Sequence, residues 1–91
     1  MKIRWSPEAA VDFVGIVEYI RTENPSAADR IPHTIYDSVV SLERFPRRGR
    51  PGRLDGTREL VLAPLPFIVL YRTKQNVVEV ARVLHGSERW P

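Results

Sequence analysis

The chain has 91 residues, no cysteine and a formal net charge of +3. That length suits one small domain, residues 1–91, with a thin core. The missing thiols exclude a disulfide framework and a cysteine metal site. The positive charge is an arginine property, since Lys2 and Lys74 are the only lysines, and the guanidinium fork suits carboxylate or phosphate partners. No apolar run approaches the ~20 residues that cross a bilayer. Met1–Pro7 lacks the apolar stretch of a signal peptide, so a cytoplasmic setting without membrane contact is expected.

Lys2 to Trp5 reads as a short strand. Ser6 then suits a helix N-cap, with Pro7 at the first helical position and Glu8 on the positive end of the helix dipole. Ala10, Phe13, Val14, Val17 and Ile20 recur at helical spacing, which predicts an amphipathic helix with Asp12, Glu18 and Arg21 off its apolar stripe. The Asn24–Pro25 step ends it. A second helix is expected from Ser26, with Ile31, Ile35, Val39, Leu42 and Phe45 as its stripe. Pro32 requires that this helix bend or begin later than the Ser26 cap suggests. The short connection predicts an antiparallel hairpin.

Pro46 to Gly56 holds two Pro, three Gly and four Arg, a composition that excludes a helix or a central strand. Thr57–Ala63, Phe67–Tyr71 and Val77–Leu84 read as three strands joined by short turns, hence an antiparallel meander. The expected fold is α+β: an N-terminal strand and an antiparallel two-helix hairpin packed on a small antiparallel sheet. In the last strand Val77, Glu79, Ala81 and Val83 alternate with Val78, Val80, Arg82 and Leu84, and neither set is polar throughout. Helices cover one face only, so the other is expected to be half-apolar with Arg or Glu inside it and to bind a partner.

No phosphate-loop motif is present, and two histidines with scattered acids have no metal-ligand spacing, so neither cofactor nor metal is expected. Phe67 and Tyr71 fall on one strand face and suit the core better than base stacking.

Taken together, Ser6-Pro7-Glu8-Ala9, Asn24 to Arg30, Phe45-Pro46 with Gly49-Arg50-Pro51, Thr57 to Leu60, Phe67 to Arg72 and Arg82 to Gly86 resemble the ParE branch of the RelE/ParE toxin superfamily. The resemblance implies the fold just described, a ParD-like antitoxin encoded alongside, contact with operator DNA only through that antitoxin, and poisoning of DNA gyrase. The RelE branch instead cuts mRNA on the ribosome, which needs a base, an acid and cations around the phosphorane. Where RelE-like enzymes carry a middle-strand arginine this chain has Ile68, near one of their basic positions it has Gly86, and its tail ends in Trp90-Pro91 without Tyr. His85, Arg82 and Arg58 remain as ribonuclease candidates. The reading adopted is a gyrase inhibitor that acts by binding, with Arg82, His85, Glu88, Arg89 and Trp90 meeting the target. Arg47, Arg48, Arg50 and Arg53, with Arg72, form a basic rim for an acidic antitoxin segment. The alternatives are a RelE-like mRNA endonuclease and an inactive toxin kept as an antitoxin-binding module.

Overall fold

In the computed structural model, which describes residues 1–88, Ser6 turns a strand into a helix. β1 (Lys2–Trp5) ends beside it and α1 (Pro7–Glu23) begins after it. The Ser6 hydroxyl accepts the Ala9 N–H at 3.0 Å and donates to the Ala81 carbonyl at 2.8 Å. One side chain thus caps the helix and ties it to the last strand. Asn24 closes α1, and Pro25–Ala27 form one 3-10 turn. α2 (Arg30–Val40) starts later than Ser26, so Pro32 falls in its first turn, where its missing N–H has no helical partner to lose. Ile35 and Val39 are fully buried, as is Leu42 in the 3-10 turn Ser41–Glu43 that follows. Phe45 is 61% exposed, so the expected stripe stops one turn early.

The remaining strands are β2 (Arg50–Pro51), β3 (Thr57–Val61), β4 (Phe67–Lys74) and β5 (Val77–His85). Their order is β1-β5-β4-β3-β2. The meander is antiparallel as expected, but β1 joins β5 in parallel, with Ile3 opposite Val78, and makes the sheet mixed. Parallel pairing needs a crossover, and the helix pair supplies it. The loop rich in Pro, Gly and Arg contributes only a two-residue edge strand, the place in a sheet where Pro51 is tolerated. Gln75 and Asn76, at φ 52° and 64°, make the tight turn between β4 and β5.

The core lies between the helices and one sheet face, with Ala9, Ile20, Ile35 and Val39 against Leu60, Val69, Tyr71, Val78, Val80 and Val83. Tyr71 is wholly buried, and its hydroxyl donates to the Pro46 carbonyl at 2.7 Å and accepts the Gly49 N–H at 2.8 Å. A Cβ at Gly49 would lie 2.7 Å from the Tyr71 ring, so a glycine is what fits there. One core residue thereby pins the arginine-rich loop.

A register shift beside Leu70 and Tyr71 places Arg82 opposite Leu70 and Val80 opposite Tyr71, leaving Ala81 as the extra residue of a bulge. Val78, Val80 and Val83 therefore all join the core. The simple alternation expected along β5 is broken at that point.

Candidate functional site

α1 carries more apolar side chains than one stripe can hold. Ala9 and Ile20 are buried, and Phe13 and Ile16 pack partly against the core. The expected stripe was set about one residue too far along, because Ala10 and Val14 face solvent. A second line, Val11, Gly15 and Tyr19, repeats every four residues and so shares one helix face. Val11 is 71% exposed and Tyr19 66%.

These residues line a groove of about 570 Å³ between α1, Ile31 at the start of α2, and Phe67 and Val83 of the sheet. Its charged lining is acidic: Asp12, Glu23 and Glu88, with no lysine or arginine among the described lining residues. Gly15 sits mid-helix, where glycine costs about 1 kcal/mol relative to alanine. A Cβ there would meet nothing within 4 Å.

Asp12, expected off the apolar stripe and given no role, holds the groove to the sheet. One of its oxygens accepts Arg82 Nε at 2.7 Å and the Val83 N–H at 2.9 Å, and the other accepts Arg82 Nη2 at 2.9 Å. β1 pairs with β5 only as far as Val80, so the later N–H groups on that edge need other acceptors. Asp12 takes that of Val83, and Glu88 takes that of His85 at 2.8 Å. The hydrogen bond to Asp12 raises the pKa of Arg82, against the opposing effect of burial, so the guanidinium stays charged.

The His85 ring lies edge-on to Phe67, and its Nδ1 accepts the Ser87 N–H at 3.1 Å and lies 2.7 Å from the Ser87 hydroxyl. His85 and Glu88 are both exposed and border the groove.

The sheet face away from the core is built from cross-strand rows. Thr57, Arg72, Glu79 and Arg4 form one, and Arg50, Glu59 and Leu70 another. Glu79 accepts Arg72 Nε at 2.9 Å and Arg4 Nη2 at 3.5 Å. The Arg72 hydrogen bond holds the Glu79 carboxyl below the usual glutamate range, with burial opposing and Arg4 assisting. Glu59 takes both Arg50 Nε and Nη2 on one oxygen, at 3.1 and 2.9 Å. Val61, Ile68 and Leu84 complete an apolar row, although Leu70 and Leu84 are themselves buried. Ile68, Leu70 and Leu84 line a cavity of about 130 Å³ together with Arg50, Arg53 and Glu59. The face is half-apolar with both Arg and Glu in it.

The expected site residues are not gathered in one place. Arg58 donates to the Gly49 carbonyl at 2.7 Å, beside the loop. It pairs with Tyr71 while His85 pairs with Phe67, four residues and about 13 Å away along β4. Arg82 turns toward α1. Arg48 donates to Ser41 Oγ at 2.7 Å, Arg47 is exposed on the loop, and Arg72 lies in the Glu79 row, opposite Thr57 just past the loop's end. Arg89 and Trp90 lie outside the described residues. Among the described residues no three acidic or histidine side chains converge as metal ligands would.

The profile of a family described as the ParE toxin of the type II toxin-antitoxin system, parDE, matches residues 3–90. The chain belongs to this family. A curated Sinorhizobium fredii protein named as a candidate toxin, Y4kP, is 41% identical over 90 residues, covering 99% of this chain and 93% of its own. A solved Pseudomonas aeruginosa structure titled as a chromosomal ParDE toxin-antitoxin system superposes with a TM-score of 0.85 at 26% identity, covering 93% of this chain and 95% of the other. The mixed sheet with its helix pair is thus the fold of a ParE-family toxin. Two residues of this toxin's groove, Asp12 that ties it to β5 and Gly15 on its floor, carry no site expectation from sequence. Gly15 had a readable signal, a glycine midway between two apolar residues at helical spacing. Asp12 had none, because its partners lie 70 and 71 positions away.

Proposed function

We propose that this ParE-family toxin acts in the cytoplasm, as a single domain, by binding DNA gyrase and blocking replication, and that a ParD-like antitoxin neutralises it. The observation that carries the neutralisation half of this reading is the exposed line Val11–Tyr19 in its groove, and the half-apolar helix-free sheet face supports the target half. An apolar surface of this kind marks a place where another protein packs. The antitoxin occupies the α1 groove, and an acidic part of it extends to the rim of Arg47, Arg48, Arg50 and Arg53, with Arg72 beyond. Operator DNA is met only through the antitoxin. Gyrase is met by the helix-free sheet face and by the end of β5 at its boundary with the groove, through Arg82, His85 and Glu88 with Arg89 and Trp90.

What favours binding over RNA cutting is placement. A metal-free ribonuclease needs its cations and its base around one phosphorane, whereas Arg58, Arg82 and His85 each turn to a separate neighbour. Purified toxin at micromolar concentration is expected to inhibit gyrase supercoiling or trap cleaved DNA, and full gyrase activity would refute the proposal. Codon-positioned cuts in mRNA from expressing cells would point to the ribosome in its stead.

A further inference from the structure

Gly15 has no role inside the fold. It lies in an ordinary helical stretch, makes no turn, and leaves open space where a Cβ would stand. A good helix former would serve α1 better at that position. What a bare backbone allows is close approach from outside. The approach is bounded by Val11 one turn before and Tyr19 one turn after, both exposed. Side chains spaced by four residues form the ridges between which another helix lays its own, and the distance between the two axes depends on the size of the residue at the crossing. The charge at the groove adds a second observation. In a chain of net charge +3, the groove's charged lining is acidic, with Glu23 and Glu88 exposed.

We infer that Gly15 is the crossing point of an amphipathic antitoxin helix. That helix places a small residue, Gly, Ala or Ser, over Gly15. It packs apolar side chains against Val11 and Tyr19, and it carries a lysine or arginine that meets Glu23. This rests on the groove being the antitoxin site, and it adds the residue that sets how closely the two chains fit. An antitoxin with a bulky residue at the crossing is rejected by distance, and one with an acidic residue beside it by charge.

The test pairs two readouts on the intact toxin, with the antitoxin encoded beside it as the probe. Gly15→Ala is expected to raise the melting temperature of the free toxin by roughly 4–8 °C, the shift that restored helix propensity gives in a domain of this size. The same variant is expected to weaken antitoxin binding about tenfold, and Gly15→Leu about a hundredfold, as overpacking a close contact does. Glu23→Lys is expected to weaken binding further at low salt than at high salt. Stability and affinity moving in opposite directions is the signature of a residue kept for a partner. A lower melting temperature in Gly15→Ala would show that the fold itself requires the glycine and would overturn the inference. So would Gly15→Leu binding within twofold of wild type while Tyr19→Arg abolishes binding, which leaves the groove standing and removes only Gly15. If Tyr19→Arg binds normally as well, the groove is not the antitoxin site and both readings fall.

Discussion

The α1 groove and the helix-free sheet face use charge in opposite ways. On the sheet face the carboxylates lie among arginines of neighbouring strands, Glu79 between Arg4 and Arg72 and Glu59 beside Arg50. Those arginines are engaged within the chain, and the face is a lattice of cross-strand pairs over an apolar floor. In the groove the arrangement is reversed. Its wall is apolar and open, its charged lining is acidic, and the nearby Arg82 is drawn toward α1 by Asp12. A composition rich in arginine therefore says little about where this molecule receives a partner. The exposed apolar line on α1 says more, and it lies where the net charge does not point.

Asp12 joins the two regions, and its loss is expected to have the largest effect. Asp12→Ala removes the carboxylate from a half-buried guanidinium and the acceptor from the Val83 N–H. A loss of about 3 kcal/mol in unfolding free energy is expected from urea titration, and a loss under ~0.5 kcal/mol would show that α1 is held to β5 by packing alone. Tyr71→Phe acts on the other region. It leaves the buried Gly49 N–H without an acceptor and is expected to cost about 1–3 kcal/mol. The exchange protection of Gly49 should fall, while that of α1 is retained.

Glu79 gives the smallest effect and the one with a pH signature. Its folded pKa lies below the ordinary glutamate value of about 4.3. A depressed acid contributes stability that is fully present above the unfolded value and disappears as pH falls through the folded one. Wild type should therefore lose a small increment, under about 1 kcal/mol because both arginines are largely exposed, below pH ~4. Glu79→Gln should lack that increment, and melting curves of the two proteins from pH 3 to 7 measure it. Coincident curves would mean the row is held by its backbone ladder and apolar neighbours alone.

The parts of the fold that were legible in the sequence are those set by neighbours along the chain. Ser6 and Pro7 announce a helix start, Asn24–Pro25 its end, and short turns after β3 force the meander. The rest depends on residues far apart. The bulge at Ala81 moves Val83 to the core side and cannot be read from a run of alternating valines. The parallel place of β1 depends on a crossover whose hand and length only the packed helices fix. The stripe of α1 was misplaced because two apolar lines run along one helix and periodicity cannot say which faces inward. The groove is the consequence, since whichever line is not buried is left for a partner.

Neutralisation is proposed to depend on the α1 groove and gyrase poisoning to be independent of it, and a gyrase cleavage assay on Tyr19→Arg tests this in one measurement. With antitoxin titrated in, wild-type toxin should trap cleaved DNA and then release it. Tyr19→Arg should trap DNA to the same extent and no longer be rescued at the antitoxin concentration that silences wild type. Loss of trapping in the variant, or rescue at the wild-type concentration, would contradict the division of the molecule into a target face and an antitoxin groove.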